Sequence, residues 1–189
     1  LGLAFTFDDG PDPEWTPRLL DLLDSIGARA TFFPIAARAA AQPELIARTL
    51  QAGHTVGLHC HEHVRHSARD REWVQRDTRE GLRLLAGAGV TPTLWRTPWG
   101  DTADFSAAVA ADNDLRIIGW TVDTHDWRGD SAETMLGATR EELGAGAIVL
   151  AHDGIGPGAQ RDGAAETLRY VQRAAELARR DGLAMEALA

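Results

Sequence analysis

An alternation constrains this chain most. Short apolar runs at 1–7, 28–33, 55–58, 93–95, 116–121 and 147–151, with a weaker one at 183–186, are separated by helical patterns at 17–25, 43–51, 70–86, 104–111, 132–143 and 164–180. Strands that alternate with helices pair in parallel, because each helix carries the chain back over the sheet before the next strand starts. Pro17 and Pro43 stand where a first helical turn tolerates proline, and Gly27, Gly53, Gly89, Gly144 and Gly182 follow the helical segments as C-cap glycines do. The expected class is α/β. A full eight-stranded barrel usually takes about 250 residues, so 189 residues predict a shorter or incomplete barrel. No linker or charge block divides the sequence, which predicts one domain over residues 1–189.

Composition then removes several chemistries. The 19 basic residues are all arginine and face 28 acidic ones, for a net charge of −9. A phosphate backbone is repelled by that balance, so no nucleic acid is expected as partner. The absence of lysine excludes Schiff-base chemistry and a lysine-bearing phosphate loop. None of the four serines stands in a G-x-S-x-G setting, which argues against a serine hydrolase. Cys60 is the only cysteine, so the chain forms no internal disulfide or multi-cysteine zinc site, and a metal must use histidine and carboxylate. No apolar run approaches the roughly 20 residues of a membrane span. The chain opens on Leu1 without a basic-then-apolar leader, which reads as a processed or trimmed chain.

The residues able to do chemistry follow strands. Asp8 and Asp9 come after the first run, His59 and His63 after the third, Arg96 after the fourth, Asp123 and Asp126 after the fifth, and His152 and Asp153 at the sixth. In parallel α/β folds the C-terminal strand ends form one face, where active sites are built. Five loops therefore converge on one site. The spacing His59-x-x-x-His63 lets two imidazoles project together from a helical turn onto one ion, although such a pair is as often a solvated or hydrogen-bonded one. His66 competes for the second position. Adding Asp9 gives a two-histidine, one-carboxylate set with open coordination, as in a catalytic zinc site. Asp8-Asp9-Gly10-Pro11 is a turn by composition, and also places one carboxylate on a metal with another free beside it as a base.

His54 reads as a strand-edge residue, His61 and His125 as supporting or exposed, and Cys60 as a small buried side chain rather than a nucleophile. Trp95, Trp99 and Trp127 lie in the converging loops, where aromatic faces line clefts. Gly154-Ile155-Gly156-Pro157-Gly158 lacks the spacing and lysine of a phosphate loop and reads as a flexible loop over the site.

With these residues in place the chain resembles the polysaccharide deacetylases of the NodB-homology type, carbohydrate esterase family 4. The motifs are Thr6-Phe-Asp-Asp-Gly-Pro11, Gly53 to His63 around the histidine pair, Arg96-Thr-Pro-Trp-Gly100, Trp120 to Trp127, and Leu150-Ala-His-Asp153. The resemblance implies a distorted (β/α) barrel with fewer than eight strands. It also implies removal of acetyl groups from N-acetylglucosamine polymers such as chitin oligomers or peptidoglycan. O-acetyl xylan and non-sugar amides or cyclic imides are the alternatives. It assigns Asp8 as base, Asp9, His59 and His63 as ligands of one divalent ion (zinc, with cobalt or nickel as alternatives), Arg96 as partner of Asp8, and His152 as acid oriented by Asp126. Trp127 and Leu150 would wall the acetyl methyl, and the Trp99 amide would meet the oxyanion. A monomer acting on acetylated polysaccharide outside the cell or in its envelope is the corresponding expectation. Within the motifs, Leu58, Cys60 and Val64 replace a usual Asn, Ser or Thr, and Pro, and Trp99 replaces a frequent Tyr.

Overall fold

The structure, a computed structural model, describes residues 2–189; Leu1, the first residue of the first predicted strand, lies outside them. Its strands are β1 (Ala4–Asp8), β2 (Thr31–Phe33), β3 (Thr55–Val56), β4 (Leu94–Trp95), β5 (Arg116–Ile117), β6 (Val122–Asp123) and β7 (Ile148–His152). The helices are α1 (Trp15–Ser25), α2 (Ala36–Ala41), α3 (Pro43–Gln51), α4 (Arg71–Gly87), α5 (Ser106–Ala111), α6 (Ala132–Thr139) and α7 (Ala165–Arg180). Five strands form a parallel sheet in the order β3-β2-β1-β7-β6, and β4 pairs in parallel with β5. A parallel bridge between Leu58 and Trp95 joins the two sheets. The strands thus run round as an incomplete barrel, and among the described residues no ladder joins β5 to β6.

Burial of both faces of β1 follows from its central place, and its two faces differ in chemistry. Leu3, Phe5 and Phe7 enter a core with Leu19, Leu20 and Leu23 of α1 and Tyr170, Val171, Ala174 and Ala175 of α7. Each large apolar side chain so buried contributes roughly 1.5–3 kcal/mol. Thr6 and Asp8 alternate to the other face, where both accept from Arg96, so this part of the interior is polar. A second core gathers Leu58, Val74, Leu85, Trp95 and Val109 under α4 and α5.

Register fixes what shares the functional edge: Asp8 lies opposite Phe33 on one side and His152 on the other, and Asp123 opposite Leu150.

The structure corrects several sequence expectations. The run at 116–121 is not one strand, because the carbonyls of Ile118 and Gly119 turn to accept from the Arg96 guanidinium at 3.3 and 2.9 Å. The run at 183–186 is reduced to one bridge between Leu3 and Met185. Helix α2 went unread, and α6 ends at Thr139 rather than 143. At the start of α4 the Asp70 carboxylate accepts from the Trp73 amide as an N-cap does.

Candidate active site

A cleft of about 330 Å³ opens at the C-terminal strand edge, with Asp8, Asp9, His59, His63, His152 and Trp127 in its lining. Asp9 leaves β1 with φ 71°, a left-handed conformation that Asp tolerates better than most side chains. Its Oδ1 is buried and has no hydrogen-bond partner, yet lies 3.4 Å from Nε2 of both His59 and His63. One ligand atom from each of the three side chains falls within 4.8 Å of the others. A buried carboxylate oxygen left without a donor between two imidazole nitrogens fits a cation, and these three residues are the ones that would hold it.

His59 is oriented by its other nitrogen, Nδ1, which donates to the Arg96 carbonyl at 2.7 Å and so leaves the Nε2 lone pair facing Asp9. Burial alone would raise the Asp9 pKa, but the approach and charge of His59 outweigh it and hold the carboxyl well below the ordinary range. Burial works against protonation of His59 too, and there the Asp8 and Asp9 charges prevail and push it up. His63 is lowered to about 4, by burial first and then by the charge of His59.

The two histidines do not project from a helical turn as their spacing predicted. Residues 57–65 are extended and bent: the His59 amide donates to the Pro34 carbonyl, Cys60 bridges Ile35, and Asp77 of α4 accepts from the amides of His61 and Glu62 at 3.1 and 2.7 Å. Asp77 braces this loop and carries no sequence signal of doing so. Cys60 is buried, and burial together with the charges of Asp77, Asp9 and Asp8 pushes its thiol well above the usual range, away from the nucleophilic thiolate. His66 is no third ligand, since its Nδ1 pairs with the Ser106 hydroxyl at 2.9 Å and its ring packs on Trp95. His54 is a buried neutral acceptor, taking the Ala30 amide on Nδ1, and burial lowers it to about 4.

Asp8 is separated from that set by its own partner. The Arg96 side chain is completely buried and donates to Asp8 Oδ1 at 3.0 Å, Thr6 Oγ1 at 2.7 Å and the two turned carbonyls after β5. A buried guanidinium so surrounded holds the Asp8 carboxylate in one place.

On the opposite wall, His152 at the end of β7 pairs through Nδ1 with Asp126 Oδ1 at 2.7 Å, while its backbone amide donates to Oδ2 at 3.0 Å. Burial disfavours a charged imidazole here, but the Asp126 charge and hydrogen bond outweigh it and raise His152 to about 9. With Nδ1 committed to Asp126, its other ring nitrogen is the proton carrier available to the cleft.

Trp127 and Leu150 line the cleft. Trp99 is 42% exposed at φ 56°, its ring set edge-on against His63 at 4.1 Å and under the Arg65 guanidinium at 4.6 Å. The 154–158 loop is anchored: Arg38 ties the Ile155 carbonyl to that of Asp9 at 2.9 and 2.8 Å, and Arg161 holds the Gly154 carbonyl at 3.1 Å. Glycine is needed there, since a Cβ at Gly156 would sit 1.8 Å from Asp9 Oδ2.

A free carboxylate beside a ligand set with open positions, and a protonated imidazole across from both, is what addition of water to an unreactive carbonyl requires. Fold and site together define a metal-dependent hydrolase. The chain belongs to the polysaccharide deacetylase family, whose sequence profile matches residues 2–118. It is 36% identical over 154 residues to a peptidoglycan-N-acetylglucosamine deacetylase of Bacillus cereus, covering 80% of this chain and 72% of that one. It is likewise 36% identical over 154 residues to a chitooligosaccharide deacetylase of Sinorhizobium fredii, with the same 80% and 72% coverage. Among solved structures, the family 4 carbohydrate esterase of Streptomyces lividans in complex with acetate superposes with a TM-score of 0.86 at 32% identity, over 97% of this chain and 91% of that one. Among the described residues no helix is long and apolar enough to cross a membrane.

Proposed function

We propose that this chain is a single catalytic domain that removes N-acetyl groups from N-acetylglucosamine units of a polysaccharide, chitin oligomers or peptidoglycan, at the cell envelope or outside it. The reading rests most on Asp9 Oδ1, a buried oxygen without a donor between two imidazole nitrogens, flanked by an Asp and a His that both have their partners. Asp9, His59 and His63 would hold one divalent ion, and two nitrogens with one oxygen favour zinc. When bound, such an ion supplies positive charge to the acetamide oxygen and lowers the pKa of water from 15.7 towards about 7.

Asp8, kept in place by Arg96, takes the proton of the attacking water. The Trp99 amide donates to the oxygen on which charge collects, a contribution of roughly 3–4 kcal/mol for a donor of that kind. An amine leaves poorly unless protonated, so His152 gives its proton to the departing nitrogen, worth about 10²–10⁴-fold, and Asp126 keeps it charged until then. Leu150 and Trp127 exclude water from the acetyl methyl.

Acetate release from acetylated glucosamine oligomers, acetylated xylan and simple acetamides, each with and without chelator, tests this. Chelator-sensitive release from the glucosamine oligomers is expected. Release from xylan or acetamides alone would move the activity to another acyl carrier, and release that survives chelation would remove the metal from the mechanism.

A further inference from the structure

The proposed acid wall contains a residue that no motif announces. Arg161 lies in the segment before α7, with a side chain 5% exposed, and it lines the cleft. One terminal nitrogen meets Asp126 Oδ2 at 3.0 Å and also donates to the Thr167 hydroxyl, which itself donates to the same Oδ2 at 2.7 Å. The other donates to the carbonyls of His152 at 2.8 Å and Gly154 at 3.1 Å. One guanidinium therefore grips the carboxylate that orients His152, the backbone of His152 itself, and the start of the glycine-rich loop against Asp9. Two cations, His152 and Arg161, share one buried carboxylate.

We propose that Arg161 is a positioning residue for the acid: it fixes Asp126 and His152 as a rigid unit and, by taking part of the Asp126 charge, keeps His152 ready to release its proton. This rests on the reading of His152 as acid. A carboxylate bonded only by an imidazolium holds that proton harder than one whose other oxygen also faces a guanidinium. The charged groups facing His152 are Asp126 from the turn after β6, Arg161 from the segment before α7, and Asp8 and Asp9 from the end of β1. Asp153 follows it directly in the chain. Across the cleft stand His59 and His63. Of these, Arg161 is the permanent cation paired with the orienting carboxylate itself.

The test uses the zinc-loaded protein, with Arg161→Met removing the charge and Arg161→Lys keeping it. The expected result for Arg161→Met is a kcat lowered about 10–100-fold with KM changed less than about threefold. The His152 ring titration, followed by nitrogen NMR, and the alkaline limb of kcat/KM should both move up by about half to one pH unit. Arg161→Lys should bring both back to the native position and recover part of kcat. Arg161→Gln, which retains a donor for Asp126 but no charge, decides the same point should the methionine variant not fold. An unmoved or lowered His152 titration in the uncharged variants, or no return with lysine, would overturn the proposal. His152→Ala separates the two levels: turnover that persists in it removes the acid reading, whereas the NMR titration judges Arg161 independently of turnover.

Discussion

Two buried carboxylates, Asp9 in the lining of this cleft and Asp126 behind His152, exist under contrasting conditions. Asp126 is buried, accepts from the His152 ring, the His152 amide and the Thr167 hydroxyl, and forms an ion pair with Arg161. Asp9 is buried too, yet its Oδ1 accepts from nothing while two imidazole nitrogens stand 3.4 Å away. A native interior rarely leaves a carboxylate oxygen unpaired, because desolvation without a partner costs about 1–3 kcal/mol or more for a charged group. The wall that carries His152, the proposed acid, is thus complete as a protein structure, and the wall that carries Asp9, the proposed ligand, would be completed by a cation. The two walls also belong to different parts of the fold. His152 and Asp126 rest on β7 and the turn after β6, whereas His59 and His63 hang on a loop braced by Asp77 of α4.

The largest effects are expected on the ligand wall. Chelation, His59→Ala or His63→Ala should lower turnover by at least about three orders of magnitude, since water of ordinary pKa then replaces one near 7. Elemental analysis should find the ion lost with the activity. Asp9→Asn should weaken metal binding, whereas Asp8→Asn should keep the ion and still lose most turnover. Zinc at about a hundred times its Kd should stabilise the native protein by about 2.7 kcal/mol, or roughly 5–11 °C in Tm. That increment should vanish in His63→Ala and persist in Asp126→Asn. Loss of metal from Asp126→Asn and His63→Ala alike would mean that the walls are one structure, and the comparison would break.

The acid wall answers through pH. His152 is raised to about 9 because the Asp126 charge outweighs burial. In Asp126→Asn burial is left unopposed by that charge, so the ring should lose its proton near or below its ordinary value of about 6.5. At pH 7.5 the variant should therefore be about 10²–10⁴-fold slower with full metal content. The alkaline limb of its rate profile should fall from about 9 to below about 7. An unchanged limb would take the proton donation away from His152.

Much of this site was legible in the chain, because its parts are local. Asp8 and Asp9 end a strand, His59 and His63 share a loop, and parallel topology brings strand ends to one edge whatever the helices between them do. The resemblance to a family added the pairing of Arg96 with Asp8 and of His152 with Asp126, which spacing leaves open. The missing parts are contacts between distant segments. Asp77 reads as a helix-surface residue until its carboxylate is seen to brace the histidine loop. Arg161, in a polar stretch after a glycine-rich loop, looks like a solvated charge and is 5% exposed. The strand expected at 116–121 has the right side chains, and the buried Arg96 takes its carbonyls at Ile118 and Gly119. Propensity describes a segment against water, and these outcomes were decided by what the segment meets instead.

The smallest effect concerns Asp153, a buried carboxyl outside the cleft lining. It follows His152 and accepts from the Thr16 hydroxyl at 2.6 Å on Oδ2 while Oδ1 is buried without a partner. Thr16 in turn accepts from the Asp12 amide at 2.7 Å, so this carboxyl steadies the loop that follows β1 and begins at Asp9. Burial raises Asp153 to about 7; the Thr16 hydrogen bond opposes that shift, and the charges of Asp9 and Asp8 add to it. The folded state thus binds a proton that the unfolded chain releases near 3.8. Its contribution to stability is fully present below about pH 4 and is lost as pH rises through about 7, since the unfolded chain binds fewer protons over that window. Asp153→Asn keeps the acceptor for Thr16 and removes the titration. In metal-free protein the variant should match the native Tm near pH 4 and exceed it by a few degrees at pH 8. His152, raised from 6.5 to about 9, gives a dependence of the same sign in a higher window, which the variant should retain. A Tm difference that stays constant from pH 4 to 8 would show that Asp153 enters the fold as an anion, and its carboxylate would then be paired by something other than its proton.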